Sequence, residues 1–75
     1  MYYTSDMNRA QLIRKLRRLA RTQGATFQVQ KRRGKGSHVT LILGRRKVIC
    51  PDGELKPGTL RSVLERLALA EDDLR

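Results

Sequence analysis

The sequence predicts an α+β domain of order αβββα, with a three-stranded antiparallel sheet and two helices on one of its faces. Three observations predict it. Apolar residues recur at three- and four-residue spacing in two stretches, residues 8–22 and 54–69. Between them the period falls to two, at residues 25–31 and 37–43. Glycine-containing turns punctuate the alternating stretches, as in antiparallel hairpins. Each helix then has one apolar stripe and the sheet one apolar face, so the economical packing sets both helices on that face and leaves the other open.

The first six residues, "MYYTSD", read as an extension, and residues 7–75 as the domain. Asn8 is placed to cap the first helix while Gln11 reaches back, a variant of the capping box. Leu12, Ile13, Leu16, Leu19 and Ala20 fall on one helical face. Arg14, Lys15, Arg17, Arg18 and Arg21 fall on the opposite face, and Gly24 is a natural stop.

In "ATFQVQK", Phe27 and Val29 alternate with Gln28 and Gln30. "RRGKG" is a basic turn. In "SHVTLIL", Val39, Leu41 and Leu43 point one way, and His38, Thr40 and Ile42 the other. Because Val39 must turn inward, His38 is expected on the open sheet face. Gly44 and Arg45 suit a tight hairpin into a third strand at residues 47–50, ended by Pro51, Asp52 and Gly53. "ELKPGTLRSVLERLAL" reads as the second helix, with Pro57 in its first turn and Leu60, Val63, Leu64, Leu67 and Ala68 as its stripe. "AEDDLR" is a tail with room for a final turn through Leu74.

Charge is the strongest compositional signal. Seventeen Lys and Arg face seven Asp and Glu, a formal net charge of +10. Between Met7 and Pro51 stand thirteen basic residues and no acidic one. Such density favours a polyanion, because each neutralised phosphate releases condensed counterions. The single cysteine allows no internal disulfide, and one His with one Cys cannot build a four-ligand zinc site. No phosphate-binding loop of the Walker type is present, and no metal or other cofactor is expected. Apolar runs such as Leu41 to Leu43 are far too short to span a bilayer, and no secretory signal is legible, so the expected location is cytoplasmic. Cys50 reads most simply as a small apolar residue ending a strand, with a catalytic thiol as the rival reading.

The element order and three motifs resemble the HicA toxin family of bacterial toxin–antitoxin modules. "MNRAQLIRKLRRL" resembles its opening helix. "GKGSH", residues 34–38, resembles its Gly-Ser-His motif, and "ELKPGTLRS" downstream resembles the start of its second helix. The third is the most specific of the three. The sequence departs from the common pattern after His38, where Val39 stands instead of a further histidine, and at the third strand's end, "VICP". The resemblance implies a double-stranded-RNA-binding-domain-like fold, ribonuclease action on mRNA with His38 as the catalytic residue, and neutralisation by a HicB-type antitoxin covering His38.

The local chemistry suits that implication. Metal-free RNA cleavage needs a base for the 2′-hydroxyl, an acid for the departing 5′-oxygen, and donors for the phosphorane charge. Histidine titrates near neutrality and serves in either proton-transfer role. Arg32, Arg33 and Lys35 supply cations, Gly36 close backbone approach, and Ser37 a hydroxyl donor. Lys56, Arg61 and Arg66 extend the expected RNA- and phosphate-binding surface along the second helix. The second proton-transfer group stays open among Ser37, Lys35 and water. The alternative reading is a non-catalytic double-stranded-RNA or ribosomal-RNA binding module. A DNA-binding role has charge in its favour but no recognition motif.

Overall fold

A computed structural model of the chain describes residues 7–31 and 38–74; the extension at residues 1–6 and the basic turn at residues 32–37 lie outside the described residues. The order is β1 (Met7–Asn8), α1 (Arg9–Gln23), β2 (Phe27–Lys31), β3 (Val39–Leu43), β4 (Arg46–Cys50), β5 (Glu54–Leu55) and α2 (Pro57–Arg66), then a 3₁₀ turn at Glu71–Leu74.

Helix α1 begins where the sequence places its cap. The Asn8 side chain accepts from the Gln11 N–H at 2.8 Å, and the Gln11 side chain accepts from the Asn8 N–H at 3.0 Å. This reciprocal box satisfies two of the N–H groups that a helix start leaves unpaired. At the other end Gly24 takes a left-handed conformation, φ 70°, and its N–H turns back to the Ala20 and Arg21 carbonyls. Leu12, Leu16 and Ala20 are buried, as the helical spacing requires.

The main sheet has the order β2-β3-β4, so β3 is central and both pairings are antiparallel. Its burial alternates as expected: Val39, Leu41 and Leu43 are buried, while Thr40 and Ile42 are half-buried on the other face. Gly44 and Arg45 connect β3 to β4. Gly44 supplies the positive φ, 61°, that a two-residue hairpin needs at its first position, and its N–H donates to the Thr26 carbonyl at 2.8 Å.

The second helix is shorter than the expected 54–69. Glu54 and Leu55 are drawn instead into a two-residue ladder with β1, pairing Leu55 with Met7 and Glu54 with Asn8. Lys56 stays extended (φ −66°, ψ 156°), because the ring of a following proline disfavours the helical region. Pro57 then opens the helix at a position where a missing N–H is no loss. At the far end Leu67 is the cap and Ala68 turns left-handed, φ 61°. Ala68 is therefore exposed and leaves the apolar stripe to which its spacing assigned it. The expected last turn forms as the 3₁₀ segment, where the Asp73 carboxylate accepts from the Ala70 N–H at 2.8 Å and Leu74 is buried.

Both helices lie on the inner sheet face, with α1 toward β2 and α2 against β4. The core joins Leu12 and Leu16, Leu41, Cys50 and Leu55, and Leu60, Leu64 and Leu67, all 2 % exposed or less. Each such leucine contributes about 1.5–3 kcal/mol by leaving water. Arg9 fastens the short ladder to α1: its N–H donates to the Gly53 carbonyl at 2.9 Å, and its guanidinium meets Asp52 at 3.2 Å.

Candidate functional site

The central strand positions the histidine. His38 immediately precedes β3 and is exposed, while Val39, buried at 6 % exposure, is anchored between Lys31 of β2 and Cys50 of β4. That anchoring fixes which way the alternation runs, and it puts Thr40 and Ile42 on the face turned away from the helices. Continued one residue back, the same alternation sets the exposed His38 at the head of this row of Thr40 and Ile42. Gln28 and Gln30 flank it on β2, and Lys47 and Ile49 on β4. Among the described residues no hydrogen bond holds the imidazole of His38, whose two ring nitrogens can each donate or accept.

Of the residues assigned to phosphate binding, Arg32, Arg33, Lys35, Gly36 and Ser37 lie outside the described residues. Lys56 is exposed at the cap of α2, without a side-chain capping bond. Arg61 is exposed on α2 but borders a groove that also holds Glu65, Glu71 and Asp72, an acid-rich setting for a phosphate-binding cation. Its neighbour on the helix, Arg66, faces the other way, toward β4.

There, between β4 and α2, runs an open groove of about 650 Å³. Thr40, Lys47 and Ile49 reach it from the open sheet face, and Thr59, Ser62 and Arg66 from the helix. Of these residues only Arg66 is marked in the sequence, as a cation off the apolar stripe of the second helix. Alternation places Thr40 beside His38, and the 59, 62, 66 spacing places three side chains on one helical face. Their meeting depends on α2 docking along β4, which is a tertiary fact.

A second basic surface lies on α1. Arg14, Arg17, Arg18 and Arg21 are exposed and stand opposite Leu12, Leu16 and Ala20. No acidic residue occurs in this helix. Arg17 also lies over the Phe27 ring, 5.7 Å from its centroid.

Cys50 does not join the site. It is fully buried on the inner face, and its thiol leans on the Pro51 carbonyl at 3.5 Å. Burial pushes the thiol pKa up, outweighing the pull of Arg9; Asp52 raises it further. This environment suits an apolar filler and opposes an activated nucleophile. Among the described residues no three His, Cys, Asp or Glu side chains gather as a metal would require, and no helix is long and apolar enough to cross a membrane.

A protein-family model, described as the HicA toxin of bacterial toxin–antitoxin systems, matches residues 13–69, most of the chain. The chain belongs to the HicA toxin family. Searches of the curated proteins and of the solved structures returned no significant match. In this HicA family member the matched span takes in most of α1, the whole main sheet, His38 and all of α2. Membership implies a toxin that works opposite an antitoxin, with RNA as the general target. The α+β arrangement is as the sequence predicts, and the likeness to a double-stranded-RNA-binding domain rests on element order alone.

Proposed function

We propose that this chain, as one domain over residues 7–75, is the toxin of a type II toxin–antitoxin pair and cleaves mRNA without a metal ion. The observation that carries the reading is the HicA match enclosing an exposed histidine at the head of the central strand. His38 is the proton carrier. The 2′-oxygen attacks the adjacent phosphorus, the P–O5′ bond breaks, and a 2′,3′-cyclic phosphate results. His38 takes the 2′-hydroxyl proton or gives one to the 5′-oxygen, and a second group does the other. Arg32, Arg33 and Lys35, with the Gly36 backbone and Ser37, stabilise the phosphorane charge, and Lys56 and Arg61 guide the strand.

A HicB-type antitoxin neutralises the enzyme by covering His38. An acidic surface on that partner complements the +10 chain and speeds its capture. The test is expression of the wild type and His38→Ala, with and without any small gene found adjacent to this one that encodes a HicB-type antitoxin. Growth arrest by the wild type only, relieved by the neighbour, supports the reading. Equal arrest by both proteins points instead to a non-catalytic RNA-binding module.

A further inference from the structure

We infer that the groove between β4 and α2 is a nucleoside subsite, which holds a nucleotide flanking the phosphodiester presented to His38. The inference rests on the ribonuclease reading for its register and on the groove's own chemistry for its ligand class.

Three properties of the groove fit a nucleotide. Its floor is aliphatic, from Val48, Ile49 and Val63. Ile49 is 48 % exposed, the one large hydrophobic residue so exposed among the described residues. An apolar side chain held open on the face that carries His38 offers a dry contact for the flat side of a base. Second, the hydroxyls of Thr40, Thr59 and Ser62 line the same space, and none makes a hydrogen bond among the described residues. Each can donate or accept, so together they match the mixed polar edge of a base or a ribose 2′-hydroxyl. Third, among the described residues Lys47 and Arg66 stand at the groove without an ion pair, and no carboxylate lines it. Their charge complements the phosphates on either side of a bound nucleoside.

The backbone adds to this. Among the described residues β4 is an edge strand, so alternate N–H and C=O groups point away from β3 toward the groove. Such groups recognise base edges as readily as they pair strands. The volume, about 650 Å³, lies within the range of small-ligand sites. Register follows from β3. Thr40 lies two residues beyond His38 on the same face, about 7 Å along the strand. A nucleotide seated over Thr40 and Ile49 therefore keeps an adjoining phosphodiester within reach of the imidazole. The aliphatic floor provides no aromatic stacking platform, so selectivity should come from the hydroxyls and the strand edge.

The test uses the full chain carrying His38→Ala, titrated with a 2′-O-methylated tetranucleotide of mixed sequence and followed by the methyl resonances of Val48, Ile49 and Val63. Saturable shifts at these methyls, with binding about tenfold weaker in Ser62→Ala/Arg66→Gln, are expected; tenfold is the loss of about 1.4 kcal/mol. Both residues are exposed, so the substitutions should leave the fold intact, which circular dichroism of the variant checks. Unmoved methyls, or affinity in the variant within about twofold of the parent, overturn the inference. Methyls that respond only to a co-expressed antitoxin overturn it too, in favour of a protein-docking groove. RNA cleavage by the wild-type chain is measured in parallel. Groove binding without any cleavage leaves the subsite standing and removes the ribonuclease reading, so the two failures are distinct.

Discussion

Arg14→Gln/Arg18→Gln should make the protein more stable while making it a poorer polyanion binder. The exposed stripe of α1 brings like charges together at three- and four-residue spacing: Arg14 with Arg17, Arg14 with Arg18, Lys15 with Arg18, Arg17 with Arg21, and Arg18 with Arg21. Each such pair opposes the helix by about 0.2–0.5 kcal/mol, and α1 has no acidic residue to relieve it. The double substitution removes all of these except the Arg17–Arg21 pair, for a gain of roughly 1–2 kcal/mol. Little is lost in exchange. Glutamine matches arginine in helix propensity. Arg17 keeps its place over Phe27, and Arg21 keeps its favourable position at the helix C-terminus.

Thermal unfolding followed by circular dichroism at low salt should show a midpoint higher by about 4–8 °C per kcal/mol for a domain of this size. The gain should shrink toward zero near 1 M salt, where the screening length falls to about 3 Å. Added RNA should raise the midpoint of the wild type more than that of the variant, because only the wild type has the full stripe to neutralise. A variant less stable than the wild type at low salt would refute the reasoning. It would mean that the arginines are structural rather than an uncompensated cationic surface.

Other outcomes follow from single features. Asn8→Ala removes the reciprocal cap on α1 and should cost about 1 kcal/mol in urea unfolding. Ala68→Gly relieves a left-handed alanine and should add about 1 kcal/mol by the same measurement. Cys50 should react with a thiol reagent at neutral pH only as fast as the protein opens. Its folded thiol ionises at higher pH than the unfolded one, so its contribution to stability is complete below the unfolded value. That contribution is lost as pH rises through the folded value, and stability should therefore decline on the alkaline side.

The features that were legible in the sequence are those set by local periodicity and local capping. Alternation in "SHVTLIL" had to bury Val39, Leu41 and Leu43, and doing so turned His38 outward. Asn8 and Gln11 lie three residues apart and cap one another within a single turn. What escaped is what distant segments do together. Leu55 falls in the stretch read as the second helix, yet its partner is Met7, 48 positions earlier in the chain. Ala68 continues an apolar stripe on paper, but the chain needs a left-handed residue there to fold its last turn back onto α1. The candidate site divides in the same way. His38 was visible from its motif and its strand. The groove beside it was not, because Ile49, Ser62 and Arg66 have nothing in common until α2 docks on β4.

The central claim, that His38 carries RNA cleavage, is tested most directly by incubating purified wild-type and His38→Ala protein with an mRNA transcript, with and without a metal chelator. The wild type should cut the transcript equally well in both conditions and leave 2′,3′-cyclic phosphate ends. His38→Ala should be slower by at least about a hundredfold, the lower range for a lost general acid or base, while its circular dichroism is unchanged. A folded His38→Ala protein that cuts the transcript at close to the wild-type rate would contradict it.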